Sequence, residues 1–152
     1  MSTRSDIAMQ QENGTYQSIY CHFDGYPTHN GKLLLEHWTN PVKIKQLMEL
    51  GDLSGLGEEL GNETQSWKSP NPKWCLAYAR DRGETDCDSM TYPDLGTLLE
   101  NSNNDFLYVF SDNKWYFRGS HKSGILTELL TMDCYEEDKC CNPNGCYGGC
   151  KG

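Results

Sequence analysis

The sequence predicts an α+β fold, with a mainly antiparallel sheet of about five strands and helices packed on it. Two segments carry two-residue hairpin signals, Asn13-Gly14 and Asp112-Asn113, and the segments between them include apolar residues at helical spacing. The chain of 152 residues has the length of one ordinary domain. We therefore predict a single α+β domain over residues 1–130, made of two hairpins, a central strand and the helices, followed by a Cys-rich tail over residues 131–152.

The first hairpin is expected to turn at Asn13-Gly14, the strongest short hairpin signal in the chain. A two-residue loop at this point pairs Ile7 with Tyr20, and it puts Arg4 and Asp6 on the opposite face from Tyr20. Neither face of the hairpin is then cleanly apolar. We interpret the polar side chains of this hairpin as part of a site, because a purely structural hairpin alternates better.

Two helices are expected after this hairpin. The first covers residues 31–38, and the second has clearer ends, since Asn40 is an N-cap candidate before Pro41 and Gly51 suits the C-terminal end. The apolar residues of the second helix fall at helical spacing and are Ile44, Leu47 and Met48. Residues 52–72 are rich in Gly, Glu, Asn and Ser, and we expect a loop there.

The second half of the chain supplies the remaining elements. Residues 74–80 predict a strand, Tyr92-Pro93 opens a short helix, and residues 106–110 and 114–118 form the second hairpin. Ser123 is expected to cap a last helix. The apolar residues of that helix would be Ile125, Leu126, Leu129 and Leu130.

The charge balance argues against two classes of partner. Lys and Arg total 13 against 22 Asp and Glu, so the formal net charge is −9. Sequence-independent nucleic-acid binding and docking on an anionic membrane both need a basic surface. The apolar stretches are far shorter than the roughly 20 residues of a spanning helix, and residues 1–14 lack the apolar core of a signal peptide. We expect a soluble protein of the cytosol, with no direct nucleic-acid or membrane partner.

The tail carries five of the eight Cys residues. In a reducing cytosol, clustered thiols first indicate a metal site. Four of the five could hold Zn²⁺ tetrahedrally, namely Cys134, Cys140, Cys146 and Cys150. The tail has no CxxC pair, however, and free thiols in a Gly-rich segment or disulfides are the alternatives. No other cofactor is expected. The three Cys residues outside the tail are interpreted as buried thiols, and they are Cys21, Cys75 and Cys87.

A first polar cluster follows the end of the second strand. Alternation puts Tyr20 and His22 on one face, with Asp24 continuing that face if the strand persists, and Tyr26 follows in a Gly-Tyr-Pro turn. One interpretation is a ligand pocket, in which Tyr rings stack while His and Asp make hydrogen bonds. The alternative is an Asp that holds a strand-end turn and a His satisfied by the backbone.

A second cluster contains two of the four Arg residues of the chain. Arg80 and Arg82 share a face if the segment is extended, and guanidinium groups suit a phosphate or carboxylate. Arg4, near the open end of the first hairpin, is a candidate third member. The alternative is internal ion pairing with Asp81 or with the acidic residues that follow it.

Support for catalysis is weaker. No GxSxG, HExxH, Walker or GxGxxG pattern occurs. Cys21 and His22 look like a thiol–imidazole pair, but neighbours in a strand point to opposite faces. His29 and His37 could join His22 in a metal site, although His37 is more simply explained as a helix residue. The sequence favours a protein that is not an enzyme.

Six motifs stand out as a set: TRSDIA, SIYCHFDGYP, GKLLLEHW, LMELGDLSGLG, AYARDRGE and FLYVFSDNKWYF. Together they resemble a family of small proteins found in phage and prophage genomes. The resemblance spans residues 2–117, and the Cys-rich tail lies outside the family pattern. The resemblance implies an accessory phage protein that acts against host machinery or host defence.

Three functions are compatible with this resemblance and the two polar clusters. The leading hypothesis is a homo-oligomeric counter-defence protein that sequesters a nucleotide-derived immune signal, a cyclic dinucleotide or an ADP-ribose derivative, without catalysis. Aromatic rings would stack the bases and Arg would hold the phosphates. The second hypothesis is an acidic inhibitor that mimics nucleic acid in the basic groove of a host protein. The third is a hydrolase of such a signal, with His22 and Asp24 as an acid–base pair.

Overall fold

The computed structural model describes residues 3–119 and 126–129. In this part of the chain, eight strands form one mixed sheet, accompanied by four α-helices and a π-helical turn at Pro27–Gly31. The α+β class is confirmed. The strands are β1 (Ser5–Gln10), β2 (Tyr16–Cys21), β3 (Leu53–Gly55), β4 (Leu76–Ala77), β5 (Met90–Tyr92), β6 (Phe106–Ser111), β7 (Lys114–Arg118) and β8 (Thr127–Glu128). The helices are α1 (Lys32–His37), α2 (Pro41–Leu50), α3 (Tyr78–Arg82) and α4 (Leu95–Asn101).

The sheet is ordered β4-β3-β2-β1-β6-β7-β8, and β5 also pairs with β2. The outer edge of β2 is therefore shared, with β5 antiparallel along Tyr16 to Ser18 and β3 parallel at Cys21. The expectation of about five mainly antiparallel strands needs correction, because β1–β6 and β2–β3 are parallel pairs. Strand β6 follows α4 and enters the sheet parallel to β1. Local hairpin signals do not reveal this connection.

The first hairpin has a three-residue loop rather than the two-residue loop expected from Asn13-Gly14. Gln11 N donates to Thr15 O at 2.7 Å and Gly14 N donates to Gln11 O at 3.0 Å, while Gly14 has a φ of +87°. This is a turn closed by a glycine in the left-handed region. The extra residue shifts the register by one, so that Ile7 pairs with Ile19 and Asp6 pairs with Tyr20.

The corrected register separates the faces of the hairpin cleanly. Ile7, Ile19 and Cys21 are almost fully buried on one face, in a core completed by α1 and α2. The other face carries Ala8 and Tyr16 in a second, smaller core. A one-residue register change moves every side chain of a strand to the other face. The mixed faces expected from the sequence were therefore an error of register, and Asp6 lies on the face of Tyr20.

The ends predicted for α2 are confirmed. Asn40 Oδ1 accepts a hydrogen bond from Val42 N at 2.9 Å, Pro41 opens the helix, and Gly51 follows its last residue with a φ of +88°. The three predicted core residues of α2 are fully buried: Ile44, Leu47 and Met48. The second hairpin is confirmed as well, with Asp112 and Asn113 both in the left-handed region.

Other predicted elements need correction. Residues 74–80 were expected to form one strand, but the strand covers only Leu76–Ala77 and the chain then turns into α3, which Gly83 ends with a φ of +70°. The expected loop 52–72 contains β3, and β5 precedes the confirmed short helix α4. Where a final helix was expected, Thr127–Glu128 pairs with β7 as a strand, since cross-strand bonding overrides a weak helical pattern. Ser123, Ile125, Leu130 and the tail lie outside the described residues.

None of the helices in the described part of the chain is both long and apolar enough to cross a membrane.

Candidate functional site

A pocket of about 180 Å³ opens on the α4 face of the sheet, where β2 leaves β5 and meets β3. We call it the polar pocket. Carboxylates, Tyr rings, hydroxyls and amides contribute to its walls, which include Asp6, Tyr20, Asp52, Tyr92, Ser18 and Asn104. Cross-strand pairing of Asp6 with Tyr20 puts the first carboxylate beside the ring, and β5 and α4 supply the far wall.

Asp6 is held in the pocket by two hydrogen bonds from the loop after α4. Ser102 Oγ donates to Asp6 Oδ2 at 2.6 Å, and Asn104 Nδ2 donates to Asp6 Oδ1 at 2.8 Å. Burial raises the pKa of Asp6 above its ordinary value, and these hydrogen bonds and the positive charge of Arg118 offset only part of that effect. Asp6 is therefore a positioned carboxyl group whose ionised form is disfavoured by its surroundings.

Asp52 is the second carboxylate, and it occupies the gap between β5 and β3. Its Oδ1 accepts the main-chain N–H of Tyr20 at 2.9 Å, while its Oδ2 accepts no hydrogen bond from the described residues. Burial raises the pKa of Asp52, the Tyr20 amide lowers it in part, and the negative charges of Asp6 and Asp88 raise it further. One acceptor oxygen of this pocket is therefore open to a ligand.

Tyr20 lines the pocket, and its side chain contacts that of His22, the residue predicted to share its face. The Tyr20 hydroxyl is 2.6 Å from His22 Nδ1, and both side chains are half-buried. Burial raises the pKa of Tyr20, the positive charge of Arg4 lowers it in part, and the neighbouring Tyr78 raises it further. The structure thus brings the predicted residues Tyr20 and His22 into contact. Arg4 and Tyr78 act on the Tyr20 hydroxyl through their charges.

The order β4-β3-β2 carries α3 to the same place. Tyr78 N donates to Asp52 O at 3.2 Å, and the Tyr78 ring lies 5.5 Å from the ring of Trp67. The guanidinium of Arg82 lies 4.8 Å from the Trp67 ring and 5.5 Å from the Tyr78 ring. The Arg82 side chain forms an ion pair with Glu84 and remains 51% exposed. We call Trp67, Tyr78 and Arg82 the aromatic platform.

Arg80 takes part in internal contacts. Its guanidinium bonds the Asp81 carboxylate at 2.9 and 3.0 Å and donates to the carbonyls of Leu60 and Cys75 at 2.8 Å. The expectation that Arg80 and Arg82 share a face of an extended segment is wrong, because both lie in the helical turn α3. The alternative of internal ion pairing holds for both residues, since Arg80 pairs with Asp81 and Arg82 pairs with Glu84. Arg82 differs in that its guanidinium also lies over aromatic rings.

Asp24 and Tyr26 form a separate cluster with His29. Strand β2 ends at Cys21, and Asp24 has a φ of +59°, so the chain turns before Asp24 can continue the face of His22. Tyr26 Oη donates to Asp24 Oδ1 at 3.3 Å, and His29 Nε2 lies 3.9 Å from Asp24 Oδ2. His22 is bonded to Tyr20 instead. The proposed acid–base pair of His22 and Asp24 is therefore not assembled by these contacts.

The thiols of the sheet and its neighbouring loop are buried. Cys21 and Cys75 are fully buried, and burial raises the pKa of Cys21 to about 12 and that of Cys75 to about 11. Cys21 is therefore not an activated nucleophile beside His22. Among the described residues, no group of three or more His, Cys, Asp or Glu side chains could hold a metal ion. The proposed zinc ligands Cys134, Cys140, Cys146 and Cys150 lie outside those residues.

Sequence reasoning missed Tyr78 and three other parts of this site. Asp6 was assigned to the wrong face through the register error, Asp52 lay in an expected loop, and Trp67 had no partner until the chain folded back on α3. The one local signal for Asp52 is its position directly after the helix-ending Gly51. Comparison of the chain with protein-family models, with curated proteins and with solved structures gives no match.

Proposed function

We propose that this chain is a non-catalytic binding protein that retains a small nucleotide-derived molecule and serves phage counter-defence by sequestering it. One observation carries the proposal, namely the polar pocket at the end of β2 opening beside an aromatic platform with a half-exposed Arg82. A nucleotide combines an aromatic base, hydroxyl groups and a phosphate. Each of these groups has a matching partner on this surface.

The aromatic platform suits the base and the phosphate. Stacking of a base on an aromatic side chain contributes roughly 1–3 kcal/mol. Trp67 and Tyr78 lie at a 5.5 Å ring separation, and the main-chain N–H of Tyr78 bonds the carbonyl of the pocket residue Asp52. The Arg82 guanidinium is the cation nearest these rings among the described contacts. A phosphate can compete with Glu84 for Arg82, because an exposed ion pair is weak. Arg4 adds positive charge on the Tyr20 side.

The size of the pocket limits how much of the ligand enters it. Its volume of about 180 Å³ is below the roughly 300 Å³ at which pockets for whole drug-sized ligands begin. A group the size of one ring fits inside, and the rest of a nucleotide lies across Tyr20 towards the platform.

Calorimetric titration with ADP-ribose, cyclic ADP-ribose, cyclic di-AMP and cyclic di-GMP tests the proposal. At least one compound should bind near one per chain, and heating should release it chemically intact. Arg82→Ala should weaken binding at least tenfold, because a hydrogen bond to a charged group contributes about 1.5–3 kcal/mol. The matched control is Lys32→Ala, which removes an exposed cation of α1 and should leave the affinity unchanged.

Two results would count against the proposal. Failure of all four compounds to bind would remove the nucleotide class. Accumulation of a converted product beyond one equivalent would replace sequestration with hydrolysis. Native mass spectrometry of the loaded protein measures its mass at the same time, and so tests the expected homo-oligomer.

A further inference from the structure

The polar pocket has a hydrogen-bonding character that a phosphate does not match. Two carboxylates, Asp6 and Asp52, lie close enough that the charge of one raises the pKa of the other. An anionic group would be repelled there. The pocket accordingly requires a neutral or positive group that donates hydrogen bonds.

The acceptors of the pocket both lie next to Tyr20, because Asp6 is its cross-strand partner and Asp52 accepts its main-chain N–H. Asp52 Oδ1 is engaged by the Tyr20 amide, and its Oδ2 is open among the described residues. Each oxygen of Asp6 accepts one hydrogen bond, from Ser102 and from Asn104, and a carboxylate oxygen has room for a second. Two neighbouring acceptors suit two neighbouring donors.

Resting on the proposed function, we infer that the polar pocket takes the ribose of an ADP-ribose-type ligand, with Asp52 and Asp6 accepting hydrogen bonds from its vicinal 2′- and 3′-hydroxyls. A 3′,5′-linked cyclic dinucleotide lacks this pair of hydroxyls, because its 3′-oxygens are esterified. Carboxylates recognise ribose hydroxyls in this way in dinucleotide-binding folds. A pentose suits a pocket of about 180 Å³, and the Tyr20 ring forms one wall against it. The base then stays outside, within reach of Trp67 and Tyr78.

An exocyclic amine of the base is the competing donor for the same oxygens. The position of the rings favours the sugar, because Trp67 and Tyr78 lie on the β3–α3 side and not among the residues that line the pocket. A base held by its amino group inside the pocket would leave the platform empty. The two orientations predict opposite responses to removal of a hydroxyl and removal of the amine.

Calorimetry with four probes separates these orientations: AMP, 2′-deoxy-AMP, 3′-deoxy-AMP and IMP. Loss of either hydroxyl should weaken binding at least tenfold, because each removes a hydrogen bond to a charged acceptor, whereas IMP should bind within about threefold of AMP. Equal binding of AMP and both deoxy compounds, or a tenfold loss with IMP alone, would overturn the ribose assignment and leave the proposed function standing. If neither AMP nor any of the four compounds of the first calorimetric titration binds, the ribose assignment and the proposed function are both overturned.

Asp52→Asn provides a second readout, since asparagine keeps an acceptor for Tyr20 N. This variant should lose at least tenfold in affinity for AMP but little in affinity for 2′-deoxy-AMP. The preference for AMP over 2′-deoxy-AMP should therefore be lost. Glu100→Gln, an exposed acid on α4, is the matched control and should keep the full preference. An Asp52→Asn protein that still discriminates as strongly as the wild type would contradict the assignment.

Discussion

The side chain of Asp52 accepts a hydrogen bond from the main-chain N–H of Tyr20 at 2.9 Å, although 32 residues separate the two. β5 pairs with β2 as far as Ser18, and β3 begins its pairing at Cys21. Tyr20 lies between these two pairings, so its main-chain N–H has no partner in β5 or β3. The Asp52 carboxylate accepts that N–H, which would be costly to bury without a partner. The same contact fixes the position of the second pocket carboxylate.

Asp52→Asn should raise stability at neutral pH by no more than about 1 kcal/mol, since solvent screens a half-exposed carboxylate. Burial raises the pKa of Asp52 above the ordinary value of 3.8, and the charges of Asp6 and Asp88 add to this effect. The native protein therefore holds this proton to higher pH than the unfolded chain, and wild-type stability falls as pH rises through the raised pKa.

Thermal unfolding of the two proteins from neutral to acid pH measures this effect. The advantage of the variant should be largest at neutral pH and should vanish below the ordinary pKa of 3.8. A variant that is less stable than the wild type at neutral pH but equally stable in acid would contradict this account, because the ionised carboxylate would then stabilise the fold through Tyr20.

Asp81→Ala should destabilise the fold by about 3 kcal/mol, the scale for breaking a buried ion pair from one side. The Asp81 side chain is 0% exposed. It accepts hydrogen bonds from Ala77 N at 2.9 Å, from Gln65 N at 3.0 Å and from Arg80. Urea unfolding measures the loss, and Glu63→Ala, which alters an exposed acid in the same loop region, should change little.

The Asp81 contribution also has a defined pH dependence. Burial by itself would raise the pKa of Asp81, but the hydrogen bonds from Arg80, Ala77 and Gln65 outweigh it and lower the pKa below 3.8. The stabilisation is therefore present above the ordinary pKa and is lost as pH falls through the lowered native value. The difference in free energy of unfolding between the wild type and Asp81→Ala should decrease in strong acid. A difference that stays constant with pH would contradict this account.

Lys43→Met should cost about 2 kcal/mol, in the range for hydrogen bonds to a charged group. Lys43 Nζ donates to His37 O at 2.7 Å and to Glu58 O at 2.6 Å, and it lies 4.3 Å from the centre of the Trp38 ring. It thereby joins the end of α1 to the loop after β3. Lys43 and Lys45 both belong to α2, and Lys45 is exposed. A comparable loss of stability in Lys45→Met would refute the role of the Lys43 contacts.

Cys21 and Cys75 should resist alkylation in the native protein. Both are fully buried, and with a pKa of about 12 for Cys21 and about 11 for Cys75 almost no thiolate exists at neutral pH. Peptide mapping after iodoacetamide treatment should find these two residues unmodified in buffer and modified in denaturant. Rapid native labelling of Cys21 would restore the possibility of a thiol–imidazole pair with His22.

Local signals predicted those elements whose interactions lie within a few residues of each other. The caps of α2 at Asn40 and Gly51 and the turn at Asp112-Asn113 are of this kind. The sequence pattern also placed Tyr20 and His22 on one face, since strand alternation needs no partner. These predictions hold because a cap or a tight turn is determined by dihedral preferences and short-range hydrogen bonds.

Tertiary structure decided the register of the first hairpin, the parallel pairing of β1 with β6 and the meeting of α3 with β2. A single extra loop residue moved Asp6 to the face of Tyr20, and the pairing of β3 with β2 brought Asp52 to the main chain of Tyr20. Register and strand order are determined by the burial of apolar surface over the whole sheet. This burial depends on residues that are far apart in the sequence, so local patterns do not reveal it. By itself, the chain determined its acidic charge, its class and most of its turns, whereas long-range burial assembled the pocket.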